Sequence, residues 1–130
     1  MGVNDEIAVP LTDDERELLR CGLGEWGGPA RCTDRMAVAM GFESVQDLLV
    51  QADRLRGALA SKLPLTQRDW MRTLLATEVV FASEVLGSGS DWATTTGFSD
   101  EETIKLLRMA QQKIPIAGDV DVFLRTDRPV

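Results

Sequence analysis

The sequence predicts an all-α protein: a single five-helix bundle, orthogonal or irregular, with a long central fourth helix and a short extended C-terminal tail. Three observations carry this expectation. Apolar residues recur at spacings of three and four in five separate segments, as one buried helix face requires. Two segments open on capping boxes, Thr12 to Glu15 and Ser99 to Glu102, in which a hydroxyl and a carboxylate satisfy each other's free backbone amides. The corners between segments are short and marked by Gly and Pro. A chain of 130 residues suits one helical domain over 1–130, and 44% hydrophobic with 27% charged residues is the ordinary globular mixture.

Residues 1–10 have no helical period and Pro10 holds Val9 extended, so they form an extended leader with a short strand at 6–9. The first helix follows Thr12, with Leu18, Leu19, Gly22, Leu23 and Trp26 as its buried stripe. Asp13–Arg16 and Glu17–Arg20 are charge pairs on its wet side. Gly22 and Gly24 each weaken that helix by about 1 kcal/mol relative to alanine, which close approach of another helix explains. Gly27-Gly28-Pro29 ends the first helix and opens the second, 29–40, which turns Cys32, Met36, Ala39 and Met40 inward. Gly41-Phe42 stops it. Ser44 caps a third helix whose stripe is Val45, Leu48, Leu49, Ala52, Leu55, Leu59 and Leu63.

The fourth helix, 65–86, opens on Thr66 and Asp69. On a wheel, Trp70, Met71, Leu74, Leu75, Val79, Phe81, Ala82, Val85 and Leu86 fill an arc of roughly 180°, with Glu78 at its centre. Arg72, Thr73, Thr77, Ser83 and Glu84 lie opposite. Residues 87–98, GSGSDWATTTGF, form a connection long for a compact helical domain. The fifth helix starts at the second capping box and buries Ile104, Leu107, Ala110 and Ile114, with Glu101 supporting Lys105. Pro115 ends it, and the extended tail 115–130 alternates at Val120, Val122 and Leu124, the pattern of a half-buried strand. That strand has the leader, another subunit or the helix surface as its candidate partners.

Composition excludes more chemistry than it suggests. The chain has no histidine and no tyrosine, which removes histidine-dependent triads, zincin motifs and most zinc sites. No cofactor motif and no calcium-loop spacing is present, Asp119 and Asp121 lacking the further acids and glycine of such a loop. Cys21 and Cys32 have no CxxC spacing and read as thiols. With 21 acidic against 14 basic residues the net charge is -7, which repels phosphate backbones and anionic membranes and favours a basic protein partner. No stretch approaches the ~20 apolar residues of a membrane span, and a cytoplasmic location is expected.

Glu78 is the first candidate site. An unpaired charge on an apolar face costs several kcal/mol, so it is either a docking acid met by Arg20, Arg31, Arg35 or the Trp26 indole, or a carboxylate lining a ligand pocket. The first reading is favoured, because no second acid, nucleophile or histidine sits beside it at helical spacing. The second candidate is the connection with Asp91, Trp92 and Thr95. It lacks the lysine of a phosphate loop and is followed by Asp100, Glu101 and Glu102. It reads as an interaction loop, as a helix cap, or, for Trp92, as a ring folded back over the core.

The third candidate is Ala37-Val38-Ala39-Met40-Gly41-Phe42-Glu43-Ser44 followed by Leu48. It resembles the AxxxGFxSxxxF pattern in the DNA-binding domains of AraC-type regulators. That resemblance implies a helix-turn-helix within residues 32–55, the helix after the turn entering the major groove with Glu43, Ser44, Gln46 and Asp47 towards DNA. Acids at those positions oppose phosphate contact. The expected function is therefore that of a small acidic cytosolic protein acting by protein–protein contact without catalysis, of immunity-protein, antitoxin or regulatory-subunit type. A helix-turn-helix regulator and a helical pocket around Glu78 are the alternatives, and a homodimer is left open.

Overall fold

Five of the six α-helices among the described residues begin where a hydroxyl side chain accepts the backbone amide of the third helical residue. The computed structural model describes residues 5–28 and 30–114. Thr12 opens α1 (Asp13–Glu25) with the complete capping box, Thr33 opens α2 (Asp34–Ala39), and Ser44 opens α3 (Val45–Ala60). Thr66 opens α4 (Gln67–Ala82), and Ser99 opens α6 (Asp100–Lys113) with the second capping box. The exception is α5 (Trp92–Thr96), which follows a 3-10 turn at Gly89–Asp91 and has no side-chain cap. It is the helix beyond the expected five, and it occupies the segment read as a loop.

Two strands of two residues each precede α1 and α4. β1 (Glu6–Ile7) pairs antiparallel with β2 (Leu65–Thr66), Ile7 opposite Leu65, and the Trp70 indole donates to the Ile7 carbonyl at 2.8 Å. The leader strand thus finds its partner in the corner before α4; the tail expected as its alternative partner lies outside the described residues. The second helix is also shorter than expected. Residues 30–33 are not helical, the Arg31 amide donating instead to the Leu86 carbonyl at 2.7 Å.

At the centre α1 packs on α3, α4 and α6, while α4 also meets β2 and the 3-10 turn. The close approach expected at Gly22 is the crossing of α1 and α4: a Cβ on Gly22 would overlap the Thr77 side chain. Thr77 keeps its hydroxyl satisfied at this dry crossing by donating to the Thr73 carbonyl at 2.9 Å. The Trp26 indole donates to the Ala76 carbonyl at 3.1 Å beside it.

These contacts correct the expected face of α4. Thr73 and Thr77, placed on the outer side by polarity, are fully buried, whereas Ala82 and Val85 are exposed. The helix is enclosed from several directions, so no single apolar arc describes it. Glu78 is only half-buried rather than central. Leu49, Leu63, Ile104 and Ala39 also lie on the surface, and Thr103 takes the inward position that Ile104 was expected to fill.

Two carboxylates at the third residue of a helix are buried instead. Glu15, 2% exposed, accepts from the Thr12 amide at 2.9 Å and from Lys113 Nζ at 2.7 Å, joining the start of α1 to the end of α6. Asp69 Oδ1 accepts from Arg54 at 2.9 Å and from Arg72 at 3.2 Å. Arg16 and Asp13 do not pair with each other: Arg16 donates to the Val9 carbonyl and Asp13 meets Lys62 at 3.4 Å. Glu17 and Arg20 pair as expected, at 2.7 Å.

Two outcomes follow from this packing. Gly22→Ala forces α1 and α4 apart and lowers stability by about 1–3 kcal/mol, read as a lower urea midpoint at unchanged m; Thr77→Ala in the same chain recovers part of the loss. Burial pushes the Glu15 carboxyl up, but the Lys113 ammonium and the Thr12 amide and hydroxyl outweigh it and hold its pKa below the ordinary 4.5. Glu15 therefore contributes stability that is present above the ordinary value and lost as pH falls through the lowered one. Denaturation midpoints measured downward from pH 5 should fall more steeply for the native chain than for Glu15→Gln.

Candidate functional site

Glu78 stands on the side of α4 that faces α6. Its Oε2 accepts from Gln111 Nε2 at 2.6 Å, and Gln111 Oε1 in turn accepts from Arg108 Nη1 at 2.9 Å. None of the four partners expected for Glu78 meets it. The amide of Gln111, placed between carboxylate and guanidinium, satisfies both without a direct ion pair. This chain was not legible in the sequence because it joins residues 33 positions apart on two helices.

A groove of about 260 Å³ opens onto the carboxylate. Phe81, Ala82, Ile104 and Leu107 supply its apolar lining, and Glu78, Arg108 and Gln111 its polar groups. Ile104 is 52% exposed there. The volume is below the ~300–1,000 Å³ of a pocket that engulfs a small molecule, and it suits a single apolar side chain. No cysteine, serine or second acid lines the groove beside Glu78. Among the described residues no cluster of three metal-ligating side chains forms, and no helix is long and apolar enough to cross a membrane.

The segment with Asp91, Trp92 and Thr95 splits into an inner and an outer part. Trp92 is fully buried, its ring edge-on to Phe81 at 5.5 Å and its indole N–H donating to Thr103 Oγ1 at 2.7 Å. It is thus no exposed anchor. Asp91 and Thr95 remain on the surface. The Thr95 hydroxyl donates to Glu25, which also accepts from Ser88 Oγ at 2.7 Å, so the end of α1 holds this segment down. The Gly-Ser-Gly-Ser stretch folds back on α4, the Ser88 amide donating to the Val80 carbonyl at 2.7 Å.

The α2–α3 turn has the geometry that the residues 37–48 pattern implies. Gly41 adopts φ 96°, a left-handed conformation that glycine accommodates without strain. Ala37, Phe42 and Leu48 are buried around it. Arg72 fixes the turn from α4: its Nε donates to the Gly41 carbonyl at 2.7 Å and its guanidinium lies 5.1 Å from the Phe42 ring centroid. At the start of α3, however, Ser44 and Asp47 are occupied with capping, Ser44 accepting from the Asp47 amide and Asp47 from the Glu43 amide. The Asp34 carboxylate accepts from the Val45 amide. Of the side chains that would face DNA, Glu43 and Asp47 are acidic and Ser44 and Asp47 are engaged with backbone, which leaves Gln46 as the one neutral, exposed side chain among them. Cys21 and Cys32 are free thiols whose pKa burial pushes up, so they are protonated at neutral pH.

The chain matches no family model, and neither a curated protein nor a solved structure is significantly similar to it.

Burial separates the two sequence-designated sites energetically. Trp92→Ala removes a ring from the core and should cost about 3–5 kcal/mol, whereas Glu78→Gln, at a half-exposed position that keeps an amide partner, should stay within about 0.5 kcal/mol of the native chain. Urea unfolding of the two variants checks the contrast.

Proposed function

We propose that this chain is a cytoplasmic, non-catalytic protein that acts by binding another protein, in the manner of an immunity protein, antitoxin or regulatory subunit. The observation that supports this most is the α4–α6 groove, an apolar slot for one side chain bordered by an acid and a base. A partner presents an apolar anchor to Phe81, Ile104 and Leu107 and a basic group to Glu78. The net charge of -7 favours a basic partner overall. Arg108 requires an acid of the same partner next to that anchor.

Capture from the native source at mild salt tests the reading. Native chain should retain one basic protein that Ile104→Asp loses and Glu78→Arg weakens; retention of the same proteins by all three chains would count against it. Trp92 variants are unsuitable controls, because their loss of core packing acts on folding.

A second reading has one observation in its favour: the groove opens on the Glu78 carboxylate, as a pocket for a small cationic ligand would. An aromatic amine titrated against the protein, shifting the NMR signals of Glu78 and Gln111 in the native chain but not in Glu78→Gln, would favour it. The nucleic-acid reading rests on the Gly41 turn alone and is opposed by Glu43, Asp47 and the net charge.

A further inference from the structure

We propose that the α4–α6 groove is a docking site for a segment of this chain itself, residues 119–125, DVDVFLR, which lies outside the described residues. The described chain ends at Ile114, three residues past Gln111 on the helix that forms one wall of the groove. The segment therefore starts beside the place it fills. Residues 115–118 span at most about 13 Å, and Gly118 suits a reversal there. A chain that turns back at that point runs antiparallel to α6 and enters the groove at Gln111.

The order of charges argues for this occupant. Read backwards from its end, α6 presents Gln111, Arg108, Ile104 and Asp100 within roughly 80° of one another at 100° per residue. From Arg108 to Ile104 and from Ile104 to Asp100 the helix rises about 6 Å each. An extended chain repeats one side about every 6.6 Å, and on one side of the segment Asp121, Phe123 and Arg125 follow in that order. Asp121 thus falls at Arg108, Phe123 at Ile104 and Arg125 at Asp100. The opposite direction would set Asp121 against Asp100 and Arg125 against Arg108. All three positions on α6 are exposed, and Arg108 donates only Nη1, to Gln111, among the described residues. The slot of about 260 Å³ beside Phe81, Ile104 and Leu107 holds one ring. The other side of the segment, Val120, Val122 and Leu124, then lies along α4, where Ala82 is exposed.

A tether of four residues holds the segment at an effective concentration on the order of mM, so a contact too small to retain a separate peptide still forms. Glu78 receives no base in this register and stays with Gln111. A partner that also brings a base to Glu78 makes one contact more than the segment and displaces it. That competition rests on the reading of the groove as a partner site; the docking does not.

Nuclear Overhauser contacts in the full chain test the docking. The Ile104 methyl groups should show contacts to the Phe123 ring in the native chain and lose them in Asp121→Arg, which sets two bases together. Arg108→Asp combined with Asp121→Arg should restore them. In a mixture of isotope-labelled and unlabelled chains the contacts should stay within one molecule. Contacts that are missing from the native chain, survive Asp121→Arg, are not restored by the charge swap or run between two molecules would overturn the proposal. The competition has its own readout: Phe123→Asp, which frees the groove, should retain at least about threefold more of the captured protein than the native chain, and equal retention would overturn it. Contacts between Ile104 and Phe123 together with no protein retained by either chain would sink the partner reading and leave the docking standing.

Discussion

The approach of α1 to α4 at Gly22 and Thr77 is the constraint on which the rest of the molecule is built. A missing side chain on one helix and a hydroxyl tied to its own backbone on the other let the two axes come close with the Thr77 hydroxyl satisfied, while Thr73 Oγ1, one turn earlier, is buried without a partner. The Trp26 indole, bonded to the Ala76 carbonyl, fixes the crossing from the side. With α1 held there, its two ends become fixed points for the C-terminal half of the described chain. Glu15 near one end holds Lys113 of α6, and Glu25 at the other holds Ser88 and Thr95. Ten residues of helix separate these acids by about 15 Å, and residues 88–113 are clasped across that span.

This arrangement explains where buried acids occur. Glu15 and Asp69 both occupy the third position of a helix behind a threonine cap, where free amides and the positive end of the helix dipole favour a carboxylate. Each then gains a cation from another helix. A carboxylate in the middle of a helix, such as Glu78, has no free amides of its own. It stays half-exposed and borrows a side-chain amide from α6.

What the sequence made legible were the features governed by neighbours in the chain. Caps at Thr12, Ser44, Thr66 and Ser99, the turn at Gly41 and the close approach at Gly22 are all local backbone requirements written as residue type. Thr33 is masked in the sequence by Pro29, which offers an earlier start, but the chain at 30–33 has a longer-range use in bonding the Leu86 carbonyl. The face of α4 is obscured in the sequence because threonine counts as polar on a wheel while Thr77 hides its hydroxyl against its own helix. Trp92 sits in a segment whose Gly, Ser and Thr content signals a loop, yet burial of one indole and the bonds to Glu25 are enough to order it into a turn and a short helix. The Glu15–Lys113 pair and the Glu78–Gln111–Arg108 chain depend on the relative placement of distant helices, which no local pattern encodes.

The distribution of charge adds a distinction between approach and recognition. Many acids of the chain are committed to the fold, Glu15, Glu25, Asp47 and Asp69 among them, and α6 grades from Asp100, Glu101 and Glu102 at its start to Lys105, Arg108 and Lys113 along its length. The groove opens on the basic part of that helix, opposite Glu78. On the proposed reading, the overall negative field governs long-range encounter with a basic partner and is screened over about 8 Å at physiological salt. At contact distance the partner meets an acid and a base held apart by Gln111. Its orientation is then set by which of its own charges reaches each one, so a merely basic surface without an acid placed to meet Arg108 gains encounter rate and little residence time.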